Sequence, residues 1–178
     1  MKTFKLITAM LLLCLVFSCD KVDKLTQFDI GYNEKVVIES SAVVDLPFNV
    51  FTPEISSNSE STFENNNTRK NLIEYFELKT MTLEIEGPDH GNFDFLNSIE
   101  ICISAENEPE VKISWKDQIE ANSSGILKLD TSNDDLQQYL IKDQFNLRLA
   151  TITDEIITSD HHINVKSVFF GDAKIFGL

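Results

Sequence analysis

The sequence is short of the materials from which chemical sites are usually built. Basic residues are scarce, with 15 Lys and Arg against 29 Asp and Glu and a formal charge of −14. Binding to phosphate backbones depends on clustered Lys and Arg, so this field excludes a nucleic-acid partner. Cysteine is nearly absent, and of Cys14, Cys19 and Cys102 only the last lies beyond the first nineteen residues. One thiol cannot close an internal bridge, so no disulfide framework holds the fold. There is one Trp and there are three Tyr, against 13 Phe. That balance suits a packed core better than a wet platform for stacking sugars. No Gly-x-Ser-x-Gly elbow, P-loop or His-Glu-x-x-His motif occurs. Acidic residues are so plentiful that no catalytic pair singles itself out. Neither an enzyme nor a cofactor is expected.

What is present begins at the N-terminus. Met1-Lys2-Thr3-Phe4-Lys5 is a short basic segment, followed by an uncharged, largely apolar run from Leu6 to Phe17. As a helix that run reaches roughly 18 Å, well short of the ~30 Å of a bilayer's hydrocarbon core. A basic segment, a short apolar stretch and a small residue before a cut site fit a secretory signal instead. Val16-Phe17-Ser18-Cys19 resembles a lipobox, in which the cysteine takes a diacylglycerol thioether and the chain is cut before it. Cys19 is therefore the expected lipidation site and membrane contact. Two or more acyl chains, at about 0.8 kcal/mol per buried methylene, would make such an anchor effectively permanent.

This divides the chain into a signal at 1–18, a lipidated tether at 19–25 and one domain at 26–178. Removing residues 1–18 from the 178 leaves 160, a comfortable length for a single core. Lys2 and Lys5 go with the signal, so 13 basic residues face 29 acidic ones, a formal −16. Solubility accounts for most of that acidity; recruitment of divalent cations is the sharper alternative.

Period-two alternation dominates the domain, the mark of half-buried strands. Phe28, Ile30 and Tyr32 alternate up to a polar turn expected at Asn33-Glu34, after which Val36 and Ile38 resume the pattern. Val44, Leu46, Phe48 and Val50 form another strand, with Pro47 favouring an edge or a bulge. Met81, Leu83 and Ile85 follow. Ile99, Ile101 and Ile103 then pair as a hairpin with Val111, Ile113 and Trp115. Leu127 and Leu129, Phe145 to Leu149, and Ile163 to Phe170 complete the set. Eight to ten short strands predict an all-β antiparallel sandwich, immunoglobulin-like or jelly-roll-like, with one or two short helices. The best helix follows Ser132-Asn133-Asp134-Asp135, with Leu136, Tyr139 and Leu140 at helical spacing and Ser132 with Asp135 as a capping box. Thr68 to Tyr75 is a second helical turn, and Glu54 to Asn67 reads as a mobile loop.

Few residues suggest chemistry. Asp160-His161-His162 offers metal-ligand types, but neighbours on a strand point to opposite faces, so no metal is expected there. His90 sits in a turn by composition. Asp130 to Asp135 looks like a calcium loop, yet an EF-hand needs Gly at its sixth position and Glu at its twelfth, where Asp135 and Ile141 stand. Cys102 alternates out of phase with Ile99, Ile101 and Ile103 and reads as a packing residue. Trp115 shares parity with Val111 and Ile113, which assigns it to the core.

The Ser18-Cys19-Asp20-Lys21 start, Phe93-Asp94-Phe95-Leu96 ahead of Ile99–Ile103, and Phe169-Phe170-Gly171-Asp172-Ala173 together resemble small Bacteroidota lipoproteins with a single β-sandwich domain. The resemblance implies a secreted, lipid-anchored protein of the outer membrane, on its periplasmic face or the cell surface. The expected function is that of a non-enzymatic accessory or binding subunit with a possible protein partner in that membrane. The alternatives are a glycan- or ligand-binding surface module and a pilin-like structural subunit, which needs a detachable edge strand.

Overall fold

The computed structural model describes residues 26–40, 47–57, 59–66, 68–120, 124–153 and 156–174. The signal, the tether and Cys19 lie outside the described residues, as do Val44 to Leu46. Nine strands follow in order: β1 (Gln27–Ile38), β2 (Pro47–Phe51), β3 (Ile55–Ser56), β4 (Ile73–Gly87), β5 (Leu96–Ala105), β6 (Val111–Lys116), β7 (Ile126–Thr131), β8 (Gln144–Thr153) and β9 (His161–Ala173). Among the described residues two short helices interrupt them, α1 (Ser59–Asn65) and α2 (Gln137–Leu140), with a single 3-10 turn at Lys70–Leu72.

All pairings are antiparallel, and the strands run β1-β9-β4-β7-β6-β5-β8-β2, with β3 also on β8. The sheet folds over at β7, which pairs with β4 through Ile126–Leu129 and with β6 only through Asp130 and Thr131. One layer is β1-β9-β4-β7 and the facing layer is β6-β5-β8-β2. This is the strand order of a jelly roll, two Greek keys closed into a double sheet. An antiparallel sandwich is thus the fold, and of the two kinds left open by the sequence it is the jelly roll.

The layers meet through large apolar side chains. Tyr32 of β1, Phe145 of β8 and Phe169 of β9 form an edge-to-face trio with ring centroids 5.1, 5.9 and 6.1 Å apart. Such pairs add about 0.5–1.5 kcal/mol each beyond the area they bury. The Tyr32 hydroxyl donates to the Ser57 carbonyl at 3.1 Å, and burial pushes its pKa up to about 12. A second trio joins Phe28, Phe63 and Phe76, with centroids 5.9–6.3 Å apart. Gly171 faces this cluster. A Cβ there would stand 2.5 Å from the Phe76 ring and 2.9 Å from that of Phe28, so the close approach itself requires glycine.

Four details depart from the sequence expectation. β1 runs unbroken through Asn33 and Glu34, paired with β9 over its full length, because Glu34 stays in register with Val165. Among the described residues the turn expected at Asn33-Glu34 is accordingly absent. The Ser- and Asn-rich stretch from Glu54 carries β3 and α1, because Ile55 and Phe63 are buried and tie it to the core. The helical turn expected from Thr68 is only the 3-10 turn, and Ile73 and Tyr75 already belong to β4. The α2 helix stands where predicted but without the Ser132 box. Asp135 Oδ1 accepts the N–H groups of Gln137 and Phe76 at 3.0 and 3.1 Å, while the buried Ser132 hydroxyl has no partner.

Candidate functional site

Strand register places side chains in rows across the outer face of the β6-β5-β8-β2 layer. One row runs Phe51, Arg148, Cys102, Lys112, and the next runs Asn49, Ala150, Glu100, Trp115, Asp130. Residues paired across antiparallel strands share a face, so Trp115 and Phe51 look outward from the same sheet. Phe51 is 62% exposed, and Trp115 is half-buried.

Trp115 is therefore not a core residue, and the reason is local. Register slips between Ile101 and Cys102, leaving Ile113 as an extra residue on β6. Ile113 and Ser114 are both fully buried, and Ser114 Oγ donates to the Asp130 carbonyl at 2.7 Å. Such a bulge re-aims whatever follows it. Ser114 takes the inward place that parity assigns to Trp115, and the indole turns outward.

Between the two aromatics lies a fixed polar network. Arg148 Nε donates to both Glu110 carboxylate oxygens at 3.1 and 2.9 Å, and Nη2 donates to Glu110 Oε1. Nη1 donates to Asn49 Oδ1 at 2.7 Å, and Nη2 also reaches Cys102 Sγ at 3.3 Å. The guanidinium holds the Glu110 carboxyl below the usual carboxylate range. Cys102 lies beneath, 6% exposed, and burial pushes its thiol pKa up. Two residues along the same face, Lys112 Nζ donates to Glu100 at 3.2 Å and stands 5.3 Å from the Trp115 ring centroid. That is within cation–π range. Lys116, the next residue along β6, stands 3.8 Å from Asp130, which pairs with Trp115.

The face opens toward one end of the sandwich into a polar groove of about 690 Å³, where Ser104 and Asn146 continue the rows toward Glu54, Lys70, Lys142 and Asp143. Its lysines are engaged, Lys70 with Asp143 at 2.6 Å and Lys142 with Glu108 at 2.7 Å. Backbone supports the rim. Ser57 Oγ donates to the Lys142 and Asp143 carbonyls, and Tyr139 donates to that of Pro109 at 2.7 Å.

The other residues considered from sequence lie apart from this face. Asp160 accepts the Ser40 N–H at 2.9 Å, which lowers its pKa, and His161 packs 4.2 Å from Phe95 with burial lowering its own. His162 pairs with Gly87 on the opposite side of the strand. His90 occupies a left-handed turn position at φ 61°. Among the described residues no three metal-ligating side chains converge. Of the Asp130–Asp135 stretch, Asp130 joins the Trp115 row and Asp135 anchors α2 to β4. Sequence reasoning passed over Asn49, Phe51, Glu110 and Arg148. One signal was available, since Arg148 is one of two arginines in the chain and interrupts the apolar alternation of β8 at an outward position.

No protein-family model and no curated protein matches this chain. Among solved structures it is similar to CpGH89CBM32-5 from Clostridium perfringens, in complex with GalNAc-β-1,3-galactose. The identity is 12% over 80% of this chain and 96% of that one, with a TM-score of 0.36. It is also similar to the winged bean acidic lectin complexed with methyl-α-D-galactose, at 9% identity over 83% and 100% of the two chains and a TM-score of 0.34. The Cocksfoot mottle virus structure stands at 9% identity, 84% and 85% coverage and a TM-score of 0.30. The strand order, not these likenesses, identifies the fold.

Proposed function

We propose that this chain is a non-catalytic glycan-binding module held at a membrane through lipidated Cys19. One observation carries the binding half of this reading. The β6 bulge and the strand register put Trp115 and Phe51 on one outer face, with the Asn49–Arg148–Glu110 cluster fixed between them and the Lys112–Glu100 pair beside the indole. A pyranose ring offers an apolar face of C–H groups and a rim of hydroxyls. An indole or phenyl ring suits the former. Carboxylate, amide and ammonium groups already ordered by one another suit the latter, at little entropic cost. The only thiol of the face is sheltered under Arg148, which favours binding over covalent chemistry.

The test is isothermal titration against a panel of oligosaccharides, with the intact protein and with Trp115→Ala. The intact protein binds, and the variant loses at least tenfold in affinity while keeping its melting temperature. A panel without a single binder contradicts the reading.

The anchor is supported by the short apolar run and the Ser18-Cys19 junction. The seven residues between Cys19 and Gln27 can reach at most about 25–30 Å, and β1 starts at the end of the sandwich where Lys70 lines the polar groove, since Gln27 and Tyr75 both face Asp172. Metabolic labelling with palmitate should mark the wild-type chain and not Cys19→Ser; label persisting in the variant overturns the anchor.

A further inference from the structure

We infer that the ligand of the β6-β5-β8-β2 face is an uncharged oligosaccharide lying across the strands, neither a monosaccharide nor an acidic glycan. This rests on the glycan reading above and specifies it. In a chain with an excess of carboxylates, the cations of this region are already matched: Arg148 with Glu110, Lys112 with Glu100, Lys116 with Asp130. A guanidinium has five N–H donors. Here Nε and both Nη2 hydrogens go to Glu110 and Cys102, and one Nη1 hydrogen goes to Asn49. The single N–H left cannot form the parallel fork by which arginine grips a carboxylate or sulfate. Lys112 is paired with Glu100 and stands 5.3 Å from the indole centroid, so an anion would have to displace the carboxylate already there. Among the described residues an anionic sugar would meet no unpaired cation on this face and a repulsive field around it.

The same pairings favour hydroxyls. Each carboxylate keeps lone pairs beyond those used by its partner, and Asn49 keeps its amide N–H donors. Sugar hydroxyls, which donate and accept, can use both without displacing any existing bond.

Size follows from the rows. Phe51 is on β2 and Trp115 on β6, three strand spacings apart, with β8 and β5 between. At about 4.8 Å per strand and one row of offset, their backbone positions stand roughly 15 Å apart. No single pyranose bridges that distance, whereas a short oligosaccharide spans it perpendicular to the strands. Trp115 and its polar neighbours then form the principal subsite, and Phe51 a remote one reached only by longer chains.

The experiment is titration calorimetry with gluco- and manno-oligosaccharides from monosaccharide to hexasaccharide, and with oligogalacturonides of the same lengths. The intact protein, Phe51→Ala and Trp115→Ala are compared. The neutral series should gain at least tenfold in affinity between disaccharide and tetrasaccharide. Phe51→Ala should erase that gain and leave disaccharide binding intact, while Trp115→Ala weakens every length. Oligogalacturonides should bind at least tenfold more weakly at low salt. Affinity independent of length, or oligogalacturonides binding as tightly as neutral chains, overturns this inference and leaves the glycan reading standing if Trp115→Ala still weakens binding. Absence of binding to both series overturns this inference, and the broader oligosaccharide panel then decides the glycan reading.

Discussion

The two outer faces of the sandwich both carry ion pairs and arrange them differently. On β1-β9-β4-β7, Lys166 meets Glu84, Lys35 meets Glu86 and Lys79 reaches Asp29, each a flexible ammonium on an exposed carboxylate. Phe170 and Val168 lie half-buried among them. On β6-β5-β8-β2 a planar guanidinium is bonded to a carboxylate, an amide and a thiol at once, flanked by an indole and an exposed phenyl ring. Lysine pairs of the first kind contribute about 0–1 kcal/mol and rearrange freely. Arginine in a fork loses less freedom per bond formed and holds a geometry. The difference separates a solvated coat from a surface with a fixed pattern, even though both are charged.

The largest effect should come from what lies between the faces. Phe169→Ala empties the centre of the Tyr32–Phe145–Phe169 trio and should cost about 3–5 kcal/mol of unfolding free energy in urea. Phe170→Ala, one residue on and facing out, should cost under about 1 kcal/mol. Equal losses would mean that the outer layer of β9 is covered.

Next in size is the Arg148 clamp. Removing it with Arg148→Ala should raise the rate of Cys102 modification by dithiodipyridine about tenfold. Arg148→Lys should restore little of the protection, because an ammonium cannot form the fork. Unchanged reactivity in both variants would show that the thiol is sheltered by the sheet alone.

The pH dependence of that shelter has a definite sign. Glu110 titrates below the ordinary carboxylate range because Arg148 hydrogen-bonds its charged form. Its contribution is complete above the unfolded carboxylate pKa and is lost as pH falls through the lowered folded value. Thiol labelling, taken relative to a free thiol at the same pH, should thus hold its low level from pH 7 to 5 and rise only at pH below the ordinary carboxylate range. A rise already near neutrality would contradict the pairing.

The smallest effect should be on the other face. Lys35→Ala removes a pair whose side chains are 74% and 37% exposed, and should shift stability by no more than about 0.5 kcal/mol.

Much of this molecule is legible in its residues, and what is not has local causes. Alternation marks β4, β5, β8 and β9 because each has one face in the core. It misplaces Trp115 because parity cannot see the extra residue at Ile113, which only pairing with β5 reveals. The Asn33-Glu34 pair looks like a turn by composition, yet β9 holds it in register from the other side. Phe63 gives α1 its place through contacts with Phe28 and Phe76, distant in sequence. The candidate site was the least visible part. Arg148, Glu110 and Asn49 come from three segments, and nothing short of the fold brings them together.

The central claim is that one outer face binds and the other does not. Calorimetric titration of a neutral tetrasaccharide bound by the intact protein, repeated on Trp115→Ala and on Phe170→Ala, tests it directly. Affinity should fall at least tenfold with Trp115→Ala and stay unchanged with Phe170→Ala, both variants remaining folded. Loss with Phe170→Ala and none with Trp115→Ala would place the site on the opposite face and contradict the account.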